Sequence, residues 1–113
     1  MKTCEINQIT NLFDVDLSQL LKESKQEGFR FIERLVDDYE SAVNTFSLPG
    51  ECLFGIFHEE DKLVAIGGLN TDPYSEEDNV GRLRRFYVSR EFRRSGLGRL
   101  LVRRILKEAE KHY

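Results

Sequence analysis

The sequence predicts a mixed α/β layer fold of the α+β kind, with elements in the order β-α-α-β-β-β-α. Three observations carry this reading. Two short apolar runs rich in β-formers, 52–57 and 63–69, flank a polar loop of hairpin length. Two stretches, 29–43 and 96–113, repeat apolar residues at helical spacing. The chain has 113 residues, room for one domain with a modest core.

The elements follow in order. "KTCEINQI" alternates weakly and reads as a first strand. "DVDLSQLLKESKQEG" reads as a short helix, with Asp14 or Asp16 to cap it and Gly28 to stop it. In "FRFIERLVDDYESAV", Ile32, Leu35, Val36, Tyr39 and Val43 fall on one helical face, and "LPGE" ends the run. "CLFGIF" and "LVAIGGL" form an antiparallel pair joined by "HEEDK", which puts His58 in a solvated loop. Gly67 and Gly68 mark a bulge, a close approach to substrate or a plain strand irregularity. "NTDPYSEEDN" is a loop, and "GRLRRFYV" (81–88) is the next strand. From Gly96 to Tyr113, Leu97, Leu101, Val102, Ile105, Leu106 and Ala109 make an apolar arc. Arg99, Arg103, Arg104 and Lys107 occupy its far side.

Composition sets outer bounds. No apolar stretch approaches the roughly 20 residues that span a bilayer, and no leader pattern opens the chain. The expectation is a cytoplasmic protein without membrane partners. Cys4 and Cys52 lack metal-ligand or redox spacing and read as buried free thiols, so no metal is expected. The net charge of −3 hides an asymmetry. Residues 1–81 carry 6 Lys/Arg against 17 Asp/Glu, whereas residues 82–113 carry 11 against 3. That basic segment is either an anion-attracting surface or a helix face paired with the acidic half of the same domain.

The basic segment contains "REFRRSGLGRLLVRR", a glycine-punctuated turn between the last strand and the last helix. A helix N-terminus presents unpaired N–H groups and a partial positive charge. A glycine there lets a ligand approach the backbone, and arginines add charge. These are the ingredients of a phosphate cradle. It is not a Walker loop, because neither Gly96 nor Gly98 precedes a lysine. Nor is it a dinucleotide fingerprint, because Leu101 stands where a third glycine belongs.

Arg93-Arg94-Ser95-Gly96-Leu97-Gly98, following "RRFYV" and opening a helix, resembles the acetyl-CoA-binding segment of the GNAT superfamily of N-acetyltransferases, Arg/Gln-x-x-Gly-x-Gly/Ala. Upstream, "GECLFGIF" and "DKLVAIGGLNTDPY" look like the second and third strands of that fold, and the resemblance covers essentially the whole chain, 1–113. It implies a GNAT-like fold and transfer of an acetyl group from acetyl-CoA to a primary amine on a small molecule or peptide, by direct attack. It further implies that N–H groups from Ser95, Gly96, Leu97 and Gly98 bind the CoA diphosphate, assisted by Arg93 and Arg94. Backbone groups of Phe86 and Val88 would pair with the pantetheine arm. Arg82, Arg84, Arg85, Arg103 and Arg104 read instead as strand-edge and helix-surface charges, and Ser95 also suits an N-cap.

The resemblance leaves the catalytic residues unknown. Family members often carry a glutamate base early in the fourth strand, where this chain reads Gly81-Arg82-Leu83-Arg84. Asp72 and Tyr74 are polar candidates in the preceding loop. The fifth strand, and the later helix that often supplies a tyrosine acid, would follow Tyr113. The chain therefore reads as the first two-thirds of a domain: a fragment of a longer protein, the favoured reading, or a chain whose missing strands another chain supplies; a homodimer is among the expected partners. A non-catalytic CoA- or nucleotide-binding module is the alternative function. Nucleic-acid binding would use the basic helix, but it explains neither glycine, and the acidic half would repel phosphates.

Overall fold

The computed structural model describes residues 4–59, 62–71 and 81–111. Asp72, Tyr74 and Tyr113 lie outside them. Four strands, β1 (Glu5–Gln8), β2 (Cys52–His58), β3 (Lys62–Thr71) and β4 (Gly81–Val88), form one antiparallel sheet in chain order. Three helices pack on it: α1 (Ser18–Gln26), α2 (Phe31–Glu40) and α3 (Leu97–Ala109). The predicted order β-α-α-β-β-β-α is the observed one. Short 3₁₀ turns at Leu12–Asp14 and Arg90–Phe92 are additions.

The sheet is buried on both faces because helices cover both. Leu20, Ile32 and Leu35 of α1 and α2 pack with Leu53, Leu63, Ile66 and Tyr87 on one side. Leu101 and Ile105 of α3 pack with Phe54, Ile56, Val64, Ala65 and Leu69 on the other. The two-sided burial explains why β2 and β3 read as continuous apolar runs rather than alternating ones.

Local chemistry sets the helix ends. Asp16, not Asp14, starts α1: its Oδ1 accepts from the Ser18 N–H at 2.9 Å and from the Ser18 hydroxyl at 2.6 Å. Gly28, at φ +83°, closes it, with the Phe29 N–H bonding the Ser24 carbonyl. α2 stops at Glu40, well before "LPGE". The N–H groups of Ser41, Ala42 and Asn44 take the carbonyls of Asp37, Tyr39 and Asp38, with Ala42 in the left-handed region at φ +61°. Val43 therefore leaves the predicted apolar face and is 76% exposed. α3 likewise ends at Ala109, short of the predicted Tyr113, and Leu106 falls outside its buried arc.

Two further expectations are corrected. His58 ends β2, opposite Lys62, and is not a loop residue. Its Nδ1 lies 3.5 Å from the Cys4 Sγ, and its ring meets the edge of Phe92. Cys52 is buried as predicted, whereas Cys4 is half-buried.

The register of β3 against β4 slips between Ile66↔Tyr87 and Gly68↔Arg84. Arg85 and Phe86 thus both stand opposite Gly67, a β-bulge, with Arg85 at φ +58°. A Cβ on Gly67 would lie 3.0 Å from the Phe86 ring and 3.1 Å from Ile105. Gly68 has a different reason: its Cβ would sit 2.4 Å from the buried ring of Phe46. Gly68→Ala should therefore lower the unfolding free energy by about 1–3 kcal/mol, the usual cost of overpacking. Urea denaturation of the two proteins measures it, and equal midpoints would show that the Phe46 ring yields freely.

Candidate active site

The candidate site is the turn between β4 and α3, together with the outer edge of β4. Gly96 caps α3 at φ +87°, and an added Cβ there meets nothing within 4 Å. The conformation, not crowding, demands glycine. Among the described residues, no side chain caps this helix. Ser95, expected as an N-cap, turns its hydroxyl back to the Phe92 carbonyl. The Leu100 N–H bonds the Gly96 carbonyl at 3.1 Å. The N–H groups of Leu97, Gly98 and Arg99 precede the first such bond, so helix geometry gives them no partner one turn back. Their dipoles, and that of the helix, point into the turn.

The edge of β4 follows from backbone alternation. The Ser89 N–H bonds the Val64 carbonyl across β3 at 2.8 Å, so Val88 and Phe86 direct their backbone groups away from β3. Their side chains face α3, where a Cβ on Gly98 would touch Val88 at 3.5 Å and Phe86 at 3.6 Å. The outward Val88 carbonyl is already taken, accepting from Arg93 Nε at 3.0 Å.

The two loop arginines differ. Arg93 adds two bonds to Glu27, the C-cap of α1, Nη1 to Oε2 at 2.8 Å and Nη2 to Oε1 at 2.7 Å, and its guanidinium lies over the Tyr87 ring. Arg94, exposed and at φ +64°, makes no ion pair or hydrogen bond among the described residues. Of the arginines read as surface charges, two depart from expectation. Arg104 lies over the ring of Phe54. Arg85 is only 11% exposed, pairs with Asp38 at 3.3 Å, and has a buried Nε without a partner among the described residues. Burial, with help from Arg84, pushes its pKa down against the opposing pull of Asp38.

Sequence reasoning missed two carboxylates four residues apart, Glu23 in α1 and Glu27 at its C-cap. Glu23 is buried. It accepts from Ser89 Oγ at 2.9 Å, the Arg90 N–H at 2.9 Å, Arg90 Nε at 3.4 Å and Gln19 Nε2 at 3.0 Å. Burial works to raise its pKa, but those hydrogen bonds outweigh it and hold the carboxyl below its ordinary value. Glu27 accepts from Arg93 and from the Tyr87 hydroxyl. The sequence signal was their i, i+4 spacing on a helix facing the basic segment.

At the start of β4, a cavity of about 460 Å³ is lined by residues including Asp38, Asn44, Glu51, Asn70, Thr71 and Arg84. Asn70 donates to Glu51 at 2.7 Å and exchanges amide hydrogen bonds with Asn44. Among the described residues, no group of three or more His, Cys, Asp or Glu is placed to hold a metal, and no helix is long and apolar enough to cross a membrane.

Arg93 first, then Tyr87, lower the Glu27 pKa to about 2, and burial pushes Tyr87 up to about 12 with help from Glu27. A carboxyl depressed on folding contributes stability above its unfolded pKa and loses it as pH falls through the folded value. Glu27 should thus support the fold unchanged at neutral pH and lose its contribution between the ordinary glutamate value near 4.5 and about 2. Carbon-detected NMR titration of its carboxyl should show the low midpoint, and Arg93→Ala should return it toward 4.5. An ordinary midpoint in the parent would mean that the pair does not form in solution.

The profile of the Acetyltransferase (GNAT) family matches residues 12–113. A solved structure from Exiguobacterium sp. 255-15, described as a candidate acetyltransferase, superposes with a TM-score of 0.89 at 28% identity, over 98% of this chain and 72% of that one. A GNAT-family acetyltransferase of Staphylococcus aureus Mu50 gives 0.76 at 14% identity, over 96% and 68%. Glucosamine-6-phosphate N-acetyltransferase of Arabidopsis thaliana gives 0.59 at 16%, over 96% and 76%. These last two share the fold. No curated protein matches the chain at a significant level. The profile runs from the first 3₁₀ turn through α3 and so takes in the bulged strand and the glycine turn: this chain belongs to the GNAT family of acetyltransferases.

Proposed function

We propose that the protein transfers an acetyl group from acetyl-CoA to a primary amine. The observation that carries this reading is the uncapped mouth of α3. A left-handed glycine and free N–H groups stand there beside an outward-facing strand edge. The turn fits a diphosphate: an anion meets N–H groups and a helix dipole with no side chain in the way. Gly96, Leu97 and Gly98 supply N–H groups, Ser95 leads into them, and Arg94 and Arg99 add charge in front. Arg93 shapes the turn from behind. The free backbone groups of Phe86 and the Val88 N–H receive the pantetheine arm as an added strand would be received.

The reaction is an addition followed by an elimination. The neutral amine nitrogen attacks the thioester carbonyl carbon, the C=O pair moves to oxygen, and the tetrahedral oxyanion expels the CoA thiolate. The nitrogen gives up its proton and the sulfur takes one. The amine approaches from the cavity at the start of β4. That face joins the donor path at the bulge, the middle of β4.

Calorimetry with CoA on the full-length protein, and thiol release from acetyl-CoA over a panel of amines, test the reading. The parent should bind CoA and release thiol with at least one amine. Gly96→Val should fold, because its side chain enters open space, yet bind CoA at least roughly tenfold more weakly, since a β-branched residue resists φ > 0 and obstructs the backbone. Unchanged CoA affinity in the folded variant would remove the diphosphate from this turn. Binding without turnover on any amine would favour a CoA-binding module over an enzyme.

A further inference from the structure

We propose that Glu27, the C-cap of α1, is a positioning residue for the diphosphate turn, and that Arg93 serves as the staple between them rather than as a ligand of the phosphates. The functional half of this proposal rests on the acetyl-CoA reading above; the structural half does not.

The donor inventory of Arg93 makes the argument. A guanidinium has five N–H donors. Nε is spent on the Val88 carbonyl, and Nη1 and Nη2 each give one donor to Glu27. The two donors left over sit on different nitrogens. The fork that grips a carboxylate or phosphate bidentately is occupied by Glu27. A diphosphate could gain that fork only by displacing a carboxylate that Tyr87 also holds. Arg94 has no such partner among the described residues.

The staple is placed where the turn needs one. Tyr87, Ser89, Arg90 and Arg93 are tied to Glu23 or Glu27, so α1 fixes the chain from the end of β4 to the first motif residue. Beyond it come two left-handed residues, Arg94 and Gly96, with Ser95 bonded only within the turn. A cradle made of backbone N–H groups works only if those groups are already aimed, because ordering them on binding subtracts from affinity. Fixing Arg93 fixes the first residue from which the cradle is built.

The test compares the full-length parent with Glu27→Gln, Arg93→Ala, the double variant Glu27→Gln with Arg93→Ala, and the exchange Glu27→Arg with Arg93→Glu. Arg103→Ala, on the exposed face of α3, is the control. Amide hydrogen exchange of residues 95–100 is followed without ligand, and CoA affinity by calorimetry. Both single variants should speed exchange and weaken CoA by roughly fivefold or more, as residues acting as one unit do. The double variant should be no weaker than either single one, and the charge exchange should recover part of both losses. Arg103→Ala should stay within about twofold, because an exposed charge contributes little once screened. The proposal is overturned if Arg93→Ala weakens CoA while Glu27→Gln leaves it unchanged or tighter, for then Arg93 touches the phosphates. It is overturned equally if Glu27→Gln leaves exchange unchanged. A parent that binds no CoA would sink the acetyl-CoA reading instead, and the exchange rates alone would then decide the staple.

Discussion

Everything at the site depends on one extra residue in β4. Arg84, opposite Gly68, and Arg85, paired with Asp38, both point to the α1–α2 side of the sheet. Two consecutive residues on one face reset the alternation. Phe86 and Val88 then face α3, and Tyr87 faces α1. Without the bulge, the period of two would send Tyr87 toward α3 and the other two toward α1. Tyr87 could not reach Glu27, and Phe86 and Val88 could not floor the first turn of α3. The bulge depends in turn on Gly67, the one residue opposite Arg85 and Phe86, which leaves room for the Phe86 ring and Ile105.

Much of this was legible in the sequence. The bounds of β4 were read to the residue and the start of α3 to within one, because Gly81, Gly96 and the β-rich "RRFYV" punctuate them. The left-handed turn at the mouth of α3 was legible from Gly96 and the helix after it. The end of α2 was not. Its apolar period continues to Val43, but the chain turns at Ala42, and a left-handed alanine leaves no mark in the sequence. The bulge was only hinted at by Gly67. Its distorted residue is an arginine, a type that rarely takes positive φ, so no local preference announces it. The staple was invisible for another reason. Glu27 and Arg93 are 66 residues apart, and only the folded sheet brings α1 beside the β4–α3 turn.

The uneven charge along the chain finds its physical meaning here. Two readings stood open, an anion-attracting surface or a basic face neutralised by the acidic half. The structure pairs three of these arginines with carboxylates and leaves Arg94 and Arg99 exposed. Arg85, Arg90 and Arg93 are met by Asp38, Glu23 and Glu27 from the two N-terminal helices. Arg94 is met by none among the described residues, and Arg99 extends from the first turn of α3.

That sorting matters to an anion approaching the turn. Charges neutralised within a few ångströms contribute little beyond a Debye length of about 8–10 Å. Glu23 and Glu27 therefore offset Arg90 and Arg93 and leave the field of Arg94 and Arg99, added to the partial charge at the mouth of α3. A turn with all of its arginines free would attract anions from many directions. Under the proposed function, one with its rear arginines paired would direct the diphosphate toward the N–H groups of Leu97, Gly98 and Arg99. The acidic half of the chain thus directs the basic half, and it does so through the same hydrogen bonds that hold the turn in shape.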